Sequence, residues 1–181
     1  IKNWDAKNGE SLANVLKSIQ PEYVCADLGK WHIGRSPEEL GYDVHDGPTG
    51  NGEGNRTTDP NDPKKIFSLS RRSNAFMEAQ TKAGKPFFLQ ISHYADHLGY
   101  KALPETISKY ETEHADKATD YQNRPLWAAM NENLDTGVGM VLDKIEALGI
   151  ADRTYVFYTA DNGYESKRDF GKPVHERGYY K

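Results

Sequence analysis

The sequence predicts an α/β domain, a mainly parallel sheet flanked by helices. Short runs rich in aromatic and β-branched residues, at 23–28, 87–91 and 154–159, read as strands. Segments with apolar residues every three to four positions separate them. Strands joined through helices need crossover connections, and these lay helices on the faces of a parallel sheet.

The first element is a helix over 8–19, with Leu12, Val15, Leu16 and Ile19 at helical spacing, and Pro21 breaks it. The strand over 23–28 runs into Gly29. Residues 41–63, rich in Gly, Asn, Asp and Pro, read as the longest irregular stretch, and loops beyond about 12–15 residues are usually functional or disordered. Asn55-Arg56-Thr57 within it is a formal glycosylation triplet, a pattern common by chance. Ile66, Leu69, Phe76 and Ala79 predict an amphipathic helix over 65–83 closed by Gly84. Pro86 introduces the second strand. A long helix follows over 126–148, built on Leu126, Met130, Leu134, Val138, Val141, Ile145 and Leu148, and Gly149 stops it. The third strand comes last.

A length of 181 residues suits one domain or a large piece of one. Apolar residues make up 36% and charged residues 28%, yet eleven tyrosines, six phenylalanines and three tryptophans exclude a disordered chain. A net charge of −4 argues against a nucleic-acid binder, which would carry a basic stripe. No apolar run approaches the ~20 residues that span a bilayer. The single cysteine, Cys25, excludes an internal disulfide framework and a multi-cysteine zinc site. The chain opens at Ile1 without a signal-peptide pattern and ends without an evident closing element, so a domain incomplete at both ends is expected.

In open α/β sheets, ligands bind outside the carboxyl ends of the strands. After the first strand stands Gly29-Lys30-Trp31-His32-Ile33-Gly34, after the second Ser92-His93-Tyr94-Ala95-Asp96-His97, and after the third Ala160-Asp161-Asn162-Gly163. A lysine with imidazoles can surround a tetrahedral oxyanion such as sulfate or phosphate. Asp161 and Asn162 offer hard oxygens that suit Ca²⁺ or Mg²⁺ better than zinc. Each cluster also has a plain reading. Asp-Asn-Gly after a strand is commonly a tight turn, a lone histidine a hydrogen-bonded structural residue, and a lone lysine a solvated one. Trp31 reads as packing, and His45, His114 and His175 as surface residues. Placement of all three clusters at strand ends is what favours a shared anion site.

At these residues the chain resembles a type I sulfatase, of the arylsulfatase branch of the alkaline-phosphatase-like superfamily. Residues 29–34 resemble the family's G-K-W-H-[LIV]-G signature, and 85–97 resemble the strand that ends in its Y-A-P-H-type segment. Asn133-Leu134-Asp135-Thr136-Gly137-Val138-Gly139 and Thr159-Ala160-Asp161-Asn162-Gly163 resemble its helix and its metal segment. Gly47-Pro48-Thr49 and Asp62-Pro63-Lys64 fit more loosely. The resemblance implies that residues 1–181 are the central part of a single sulfatase catalytic domain, periplasmic or secreted. It implies that Lys30 and His32 contact the sulfate and the catalytic residue. His97 would contact a sulfate oxygen or protonate the leaving alcohol, with His93 as its neighbour in substrate binding. Asp161 and Asn162 would bind Ca²⁺. The substrate implied is a small-molecule or carbohydrate sulfate ester. A phosphomonoester, phosphodiester or phosphonate hydrolase of the same superfamily, or a non-catalytic binding domain on that scaffold, remains an alternative.

The chain also departs from the family pattern. The family's formylglycine arises from Cys or Ser in a C/S-x-P-x-R motif, and Cys25 is followed by Ala26, Asp27, Leu28 and Gly29 instead. The formylglycine is therefore expected in an N-terminal segment outside this sequence. The early acidic pair and the later lysine segment are absent. Asp96 precedes His97 where the family has proline or a small residue, and a carboxylate there would tend to raise the histidine's pKa.

Overall fold

Ser11 opens the first helix. In a computed structural model of the chain, which describes residues 11–113 and 125–161, helix α1 spans Leu12–Ile19 and the Ser11 hydroxyl accepts the Asn14 N–H at 3.0 Å. That side-chain cap satisfies an otherwise orphaned donor. The helix therefore starts four residues later than the apolar spacing predicts, and residues 8–10 lie outside the described residues. The same hydroxyl donates to the Leu40 carbonyl and ties α1 to the chain that follows β1.

The central strand, β1 (Val24–Gly29), pairs in parallel with β2 (Val44–His45) on one side and β3 (Phe87–Ser92) on the other. The order is β2-β1-β3. Register sets Asp27 opposite Gln90 and Gly29 opposite Ser92, so β1 and β3 end side by side. Alternation along the strands divides the core. Cys25 and Phe88 pack with Ala13, Trp31, Leu40 and Tyr42 on the α1 face. Leu28 and Leu89 pack with Leu69 and Tyr94 on the other, under α3 (Ile66–Lys82).

The stretch 41–63 is not the uninterrupted loop its composition predicts. It holds β2 and the short helix α2 (Asn51–Asn55), and Pro63–Lys65 form a 3₁₀ turn at its end. A two-residue strand is too short to leave an alternating pattern in sequence. Helix α4 (Pro104–Glu113) was also not legible, because Ile107 and Tyr110 are the only large apolar residues in its sequence. Buried Asn133 on α5 (Pro125–Ala147) accepts the Leu103 N–H at 2.8 Å and donates to Thr106 Oγ1 at 3.0 Å. Helices α3 and α5 cross closely at Gly137, whose carbonyl accepts the Ser70 hydroxyl at 2.8 Å. A Cβ there would lie 2.6 Å from Ile66 Cγ2.

Residues 1–150 and 151–181 form two compact units. In the second, a 3₁₀ turn at Ala151–Arg153 precedes residues 154–160, which carry no helix or strand. The expected third strand is absent there among the described residues: Tyr155 is 90% and Phe157 89% exposed. Aromatic and β-branched residues favour a strand only where a neighbouring strand supplies the ladder, and this unit's described residues offer none. No described helix is long and apolar enough to cross a membrane.

Candidate active site at the strand ends

Gly29 closes β1 with φ 107°, and a Cβ there would lie 2.2 Å from the Ser92 carbonyl oxygen. Only glycine permits that approach together with that backbone angle. Lys30 then donates its N–H to the same carbonyl at 2.7 Å. The rest of this turn is pinned by residues that follow β2. Thr49 donates its hydroxyl to the Gly29 carbonyl and accepts the Trp31 N–H at 2.9 Å. Its own carbonyl accepts the His32 N–H at 2.9 Å. Asp46 accepts the Gly29 N–H at 2.9 Å and is itself gripped by two N–H groups of Arg72, one at 3.0 Å. Burial works against the Asp46 charge, but Arg72 and the Gly29 N–H hold its carboxyl below the ordinary range.

This frame sorts the side chains of the turn. Trp31 points inward, 6% exposed, with its indole N–H on the Arg35 carbonyl and its ring edge-on to Tyr42 at 5.4 Å. It is packing, as its sequence context predicts. Lys30 is half-buried, and His32, at φ 53°, is exposed. Non-glycine residues at positive φ persist only where surrounding contacts over-determine them, and the Thr49 carbonyl is one such contact.

The turn after β3 is built differently. His93 is half-buried, and desolvation pushes its pKa down to about 4, so the ring is neutral at pH 7. Its Nδ1 has no hydrogen-bond partner among the described residues. Tyr94, 2% exposed, packs on Leu28 and Leu69 and hydrogen-bonds Thr49, which links the two turns. The Ala95–Asp96 peptide is cis. Asp96 accepts the Trp127 indole N–H at 3.1 Å. Desolvation raises its carboxyl to about 6, against the opposing pull of Trp127, Asn131 and Lys64. The carboxylate that sequence places beside His97 is thus engaged by α5. His97 is exposed, with its N–H on the Tyr94 carbonyl at 3.3 Å and its Nδ1 3.4 Å from the Leu98 carbonyl. Beneath it, Lys64 Nζ donates to the Leu98 carbonyl at 3.0 Å and to Asn55 Oδ1. Lys101 Nζ donates to the Asn55 and Thr57 carbonyls.

The seam between β1 and β3 is polar on the α1 face. Tyr42 donates to Gln90 Oε1 at 2.8 Å, Gln90 donates to Ser92 Oγ at 3.2 Å, and Ser92 Oγ lies 3.5 Å from Asp27 Oδ1. Asp27 is fully buried. Burial, with the Asp46 charge adding to it and Ser92 opposing, raises its carboxyl to about 7. Cys25, at the other end of β1, is also fully buried, and desolvation pushes its thiol up. A buried, protonated thiol is inert, in keeping with its exclusion as nucleophile.

The parallel register therefore brings the segment carrying Lys30 and His32 beside the one carrying His93 and His97. Asp161 is exposed and belongs to the second unit, while Asn162, His114 and His175 lie outside the described residues. Among the described residues no three His, Cys, Asp or Glu side chains gather as a metal cluster. Asp161 and Asn162 fit a hard cation by donor type but offer only two of the six to eight oxygens Ca²⁺ takes. His45 is not a bare surface residue: half-buried in β2, its Nδ1 accepts the Gly47 N–H at 3.1 Å. Sequence reasoning gave no role to Asp46, Arg72 or Lys101, and marked Asn55 only as part of a formal glycosylation triplet. Thr49 and Lys64 stood inside loosely matching patches, and nothing in their spacing marked them as supports.

The chain matches the Sulfatase family model over residues 5–181. It is 26% identical over 163 residues to N-acetylgalactosamine-6-sulfatase from Homo sapiens, covering 78% of this chain and 30% of that protein. Against a Sulfatase from Formosa agariphila it is 33% identical over 97 residues, 49% of this chain and 17% of that one. The crystal structure of Ps i-CgsB shares the fold at a TM-score of 0.56 and 19% identity, covering 76% of this chain and 36% of that chain. A second structure, Ps i-CgsB in complex with k-i-k-neocarrahexaose, aligns at a TM-score of 0.52 and 19% identity over 70% of this chain and 34% of that one. The chain spans about a third or less of the length of these relatives. With its signature turn at the carboxyl end of a parallel sheet and the family match running over nearly all of its length, the chain belongs to the sulfatase family.

Proposed function

We propose that the chain is the central part of a sulfatase catalytic domain, and that the full-length protein cleaves carbohydrate sulfate esters. The observation that carries this reading is the pairing of β1 with β3 in parallel register, which sets the Lys30–His32 turn beside the turn carrying His97. The names of relatives that act on a sulfated amino sugar and of a neighbour bound to an oligosaccharide favour a sugar as the alcohol.

In this reading Lys30 and His32 hold the sulfate oxygens, with the ammonium group supplying charge and the imidazole a directed donor. Half-buried His93 acts as a neutral neighbour that shapes the site without adding charge. His97 keeps Nδ1 toward the Leu98 carbonyl and presents Nε2 to the ester oxygen. As the S–O bond breaks, it delivers a proton to the departing alcohol or steadies the charge there. Asp161 and Asn162 would hold Ca²⁺ (Mg²⁺ suits the same donors), and such an ion neutralises charge on the sulfate. A formylglycine from the part of the protein outside this sequence would supply the nucleophile, which leaves the 181-residue chain without turnover of its own.

Two assays with an activated aryl sulfate and added Ca²⁺ test this. The full-length protein should turn it over, and Lys30→Ala should both raise KM and lower kcat, because a lysine charge acts on ester and transition state alike. The isolated chain should be inactive. Turnover by the isolated chain that Lys30→Ala abolishes would overturn the assignment of the nucleophile to another segment.

A further inference from the structure

Lys64 is a fully buried lysine that the proposed chemistry does not use. It lies at φ 56° and is followed by Lys65 at φ 57°, two consecutive non-glycine residues in the left-handed region. The turn they make has a local use: it lets Asp62 cap α3 by accepting the Phe67 and Ser68 N–H groups at 2.9 and 3.0 Å. That cap needs no side chain at position 64, and glycine would adopt the angle freely. A lysine at this position must therefore be explained by where its ammonium group goes.

It goes to the turn after β3. Residues 93–103 contain no helix or strand, and such a segment keeps its shape only if its polar backbone groups find fixed partners. Lys64 Nζ supplies one, donating to the carbonyl of Leu98, the residue next to His97. Its second acceptor, Asn55 Oδ1, lies against Gly99 so closely that a Cβ there would be 2.9 Å away. Lys101 closes the far side on the Asn55 and Thr57 carbonyls. Burial lowers Lys64 to about 8, with the Lys101 charge adding to that and Asp96 opposing it. The ammonium group thus links α2 and the start of α3 to the Leu98 carbonyl beside His97, and Lys101 ties the same segment back to α2 from the other side.

We propose that Lys64 is a positioning residue for His97, its buried ammonium group fixing the Leu98 carbonyl and so the loop that carries the imidazole. The proposal rests on the reading of His97 as the group that meets the ester oxygen. A displacement of about 1 Å at such a group can cost on the order of 10²-fold in rate.

The test is a double-mutant cycle in the full-length protein, with kcat and KM on an unactivated sulfate ester corrected for folded fraction. Lys64→Met should lower kcat about 10–100-fold with KM changed less than about threefold. In a His97→Ala background the same substitution should change kcat by less than about twofold, because the residue it positions is gone. If Lys64→Met yields no folded protein, Lys64→Gln, which keeps an N–H donor without the charge, is read in the same cycle. Equal losses in both backgrounds, or wild-type kcat per folded Lys64→Met molecule, overturn the positioning role while leaving His97 in place. Wild-type kcat in His97→Ala alone overturns the reading of His97, and the proposal with it.

Discussion

The two turns at the ends of β1 and β3 leave the sheet side by side and are stabilised by opposite means. The Lys30–His32 turn is held by neutral contacts from Thr49 and by Asp46, whose Arg72 partner is half exposed at 49%. The His97 turn is held by an ammonium group with no exposure at all. The difference follows from what each turn leaves unsatisfied. In the first, the orphaned groups include three backbone N–H donors, at Gly29, Trp31 and His32, and a carboxylate, a carbonyl and a hydroxyl can accept them. In the second, the group that Lys64 ties down is the Leu98 carbonyl, which needs a donor, and the same ammonium group also reaches Asn55 Oδ1.

The largest effect should come from removing the point both turns share. Gly29→Ala places a Cβ 2.2 Å from the Ser92 carbonyl oxygen at φ 107°. Backbone strain and overpacking should then cost about 4 kcal/mol. Denaturant unfolding of the described unit should show a lower midpoint. An unchanged midpoint would mean that β1 and β3 tolerate separation and that the two turns are not fixed by one register.

Thr49→Val sharpens the contrast, because it keeps the shape and deletes only the hydroxyl. It leaves the Trp31 N–H without its acceptor and the Gly29 carbonyl without its donor. A loss of about 3 kcal/mol is expected, at the upper end for buried groups left unpaired. The loss should be the same at pH 6 and pH 9, since no titrating group is removed. Thermal melts at the two values check it, and a strongly pH-dependent loss would show that the clamp works through Asp46 rather than through the hydroxyl.

The first turn was legible in sequence and its supports were not, for a physical reason. Lys30, Trp31 and His32 are contiguous, so their chemistry shows as a motif. Asp46 and Thr49 reach the same turn from 17 and 18 positions further on, Arg72 grips Asp46 from another 26 beyond it, and no periodicity announces them. The helices over 66–82 and 125–147 were legible because each buries a stripe of side chains against the sheet or against its neighbour. The strand expected over 154–159 has the composition of a strand but no ladder partner among the described residues of its own unit. Composition reports what a segment favours, and pairing decides what it forms.

Asp27 lies on the seam between the turns, and its substitution gives the smallest and most pH-specific effect. Its carboxyl, raised from 3.8 to about 7 by burial, holds a proton in the folded chain at pH values where the unfolded chain has lost it. The sign follows from proton linkage: the stabilising contribution is complete below about pH 3.8 and fades as pH rises through about 7. Above that, a buried carboxylate whose Oδ2 has no partner among the described residues weakens the fold. Asp27→Asn keeps the shape and the Ser92 contact but cannot ionise. Each unit of pKa displacement is worth about 1.4 kcal/mol, and relaxation of the site absorbs part of it, so the variant should gain about 2 kcal/mol at pH 8.5. Near pH 4 the variant and the parent should melt within a degree or two of each other. A gain of equal size at both values would assign the effect to packing, and a loss at pH 8.5 would mean that the ionised carboxylate is satisfied and joins the two turns rather than straining them.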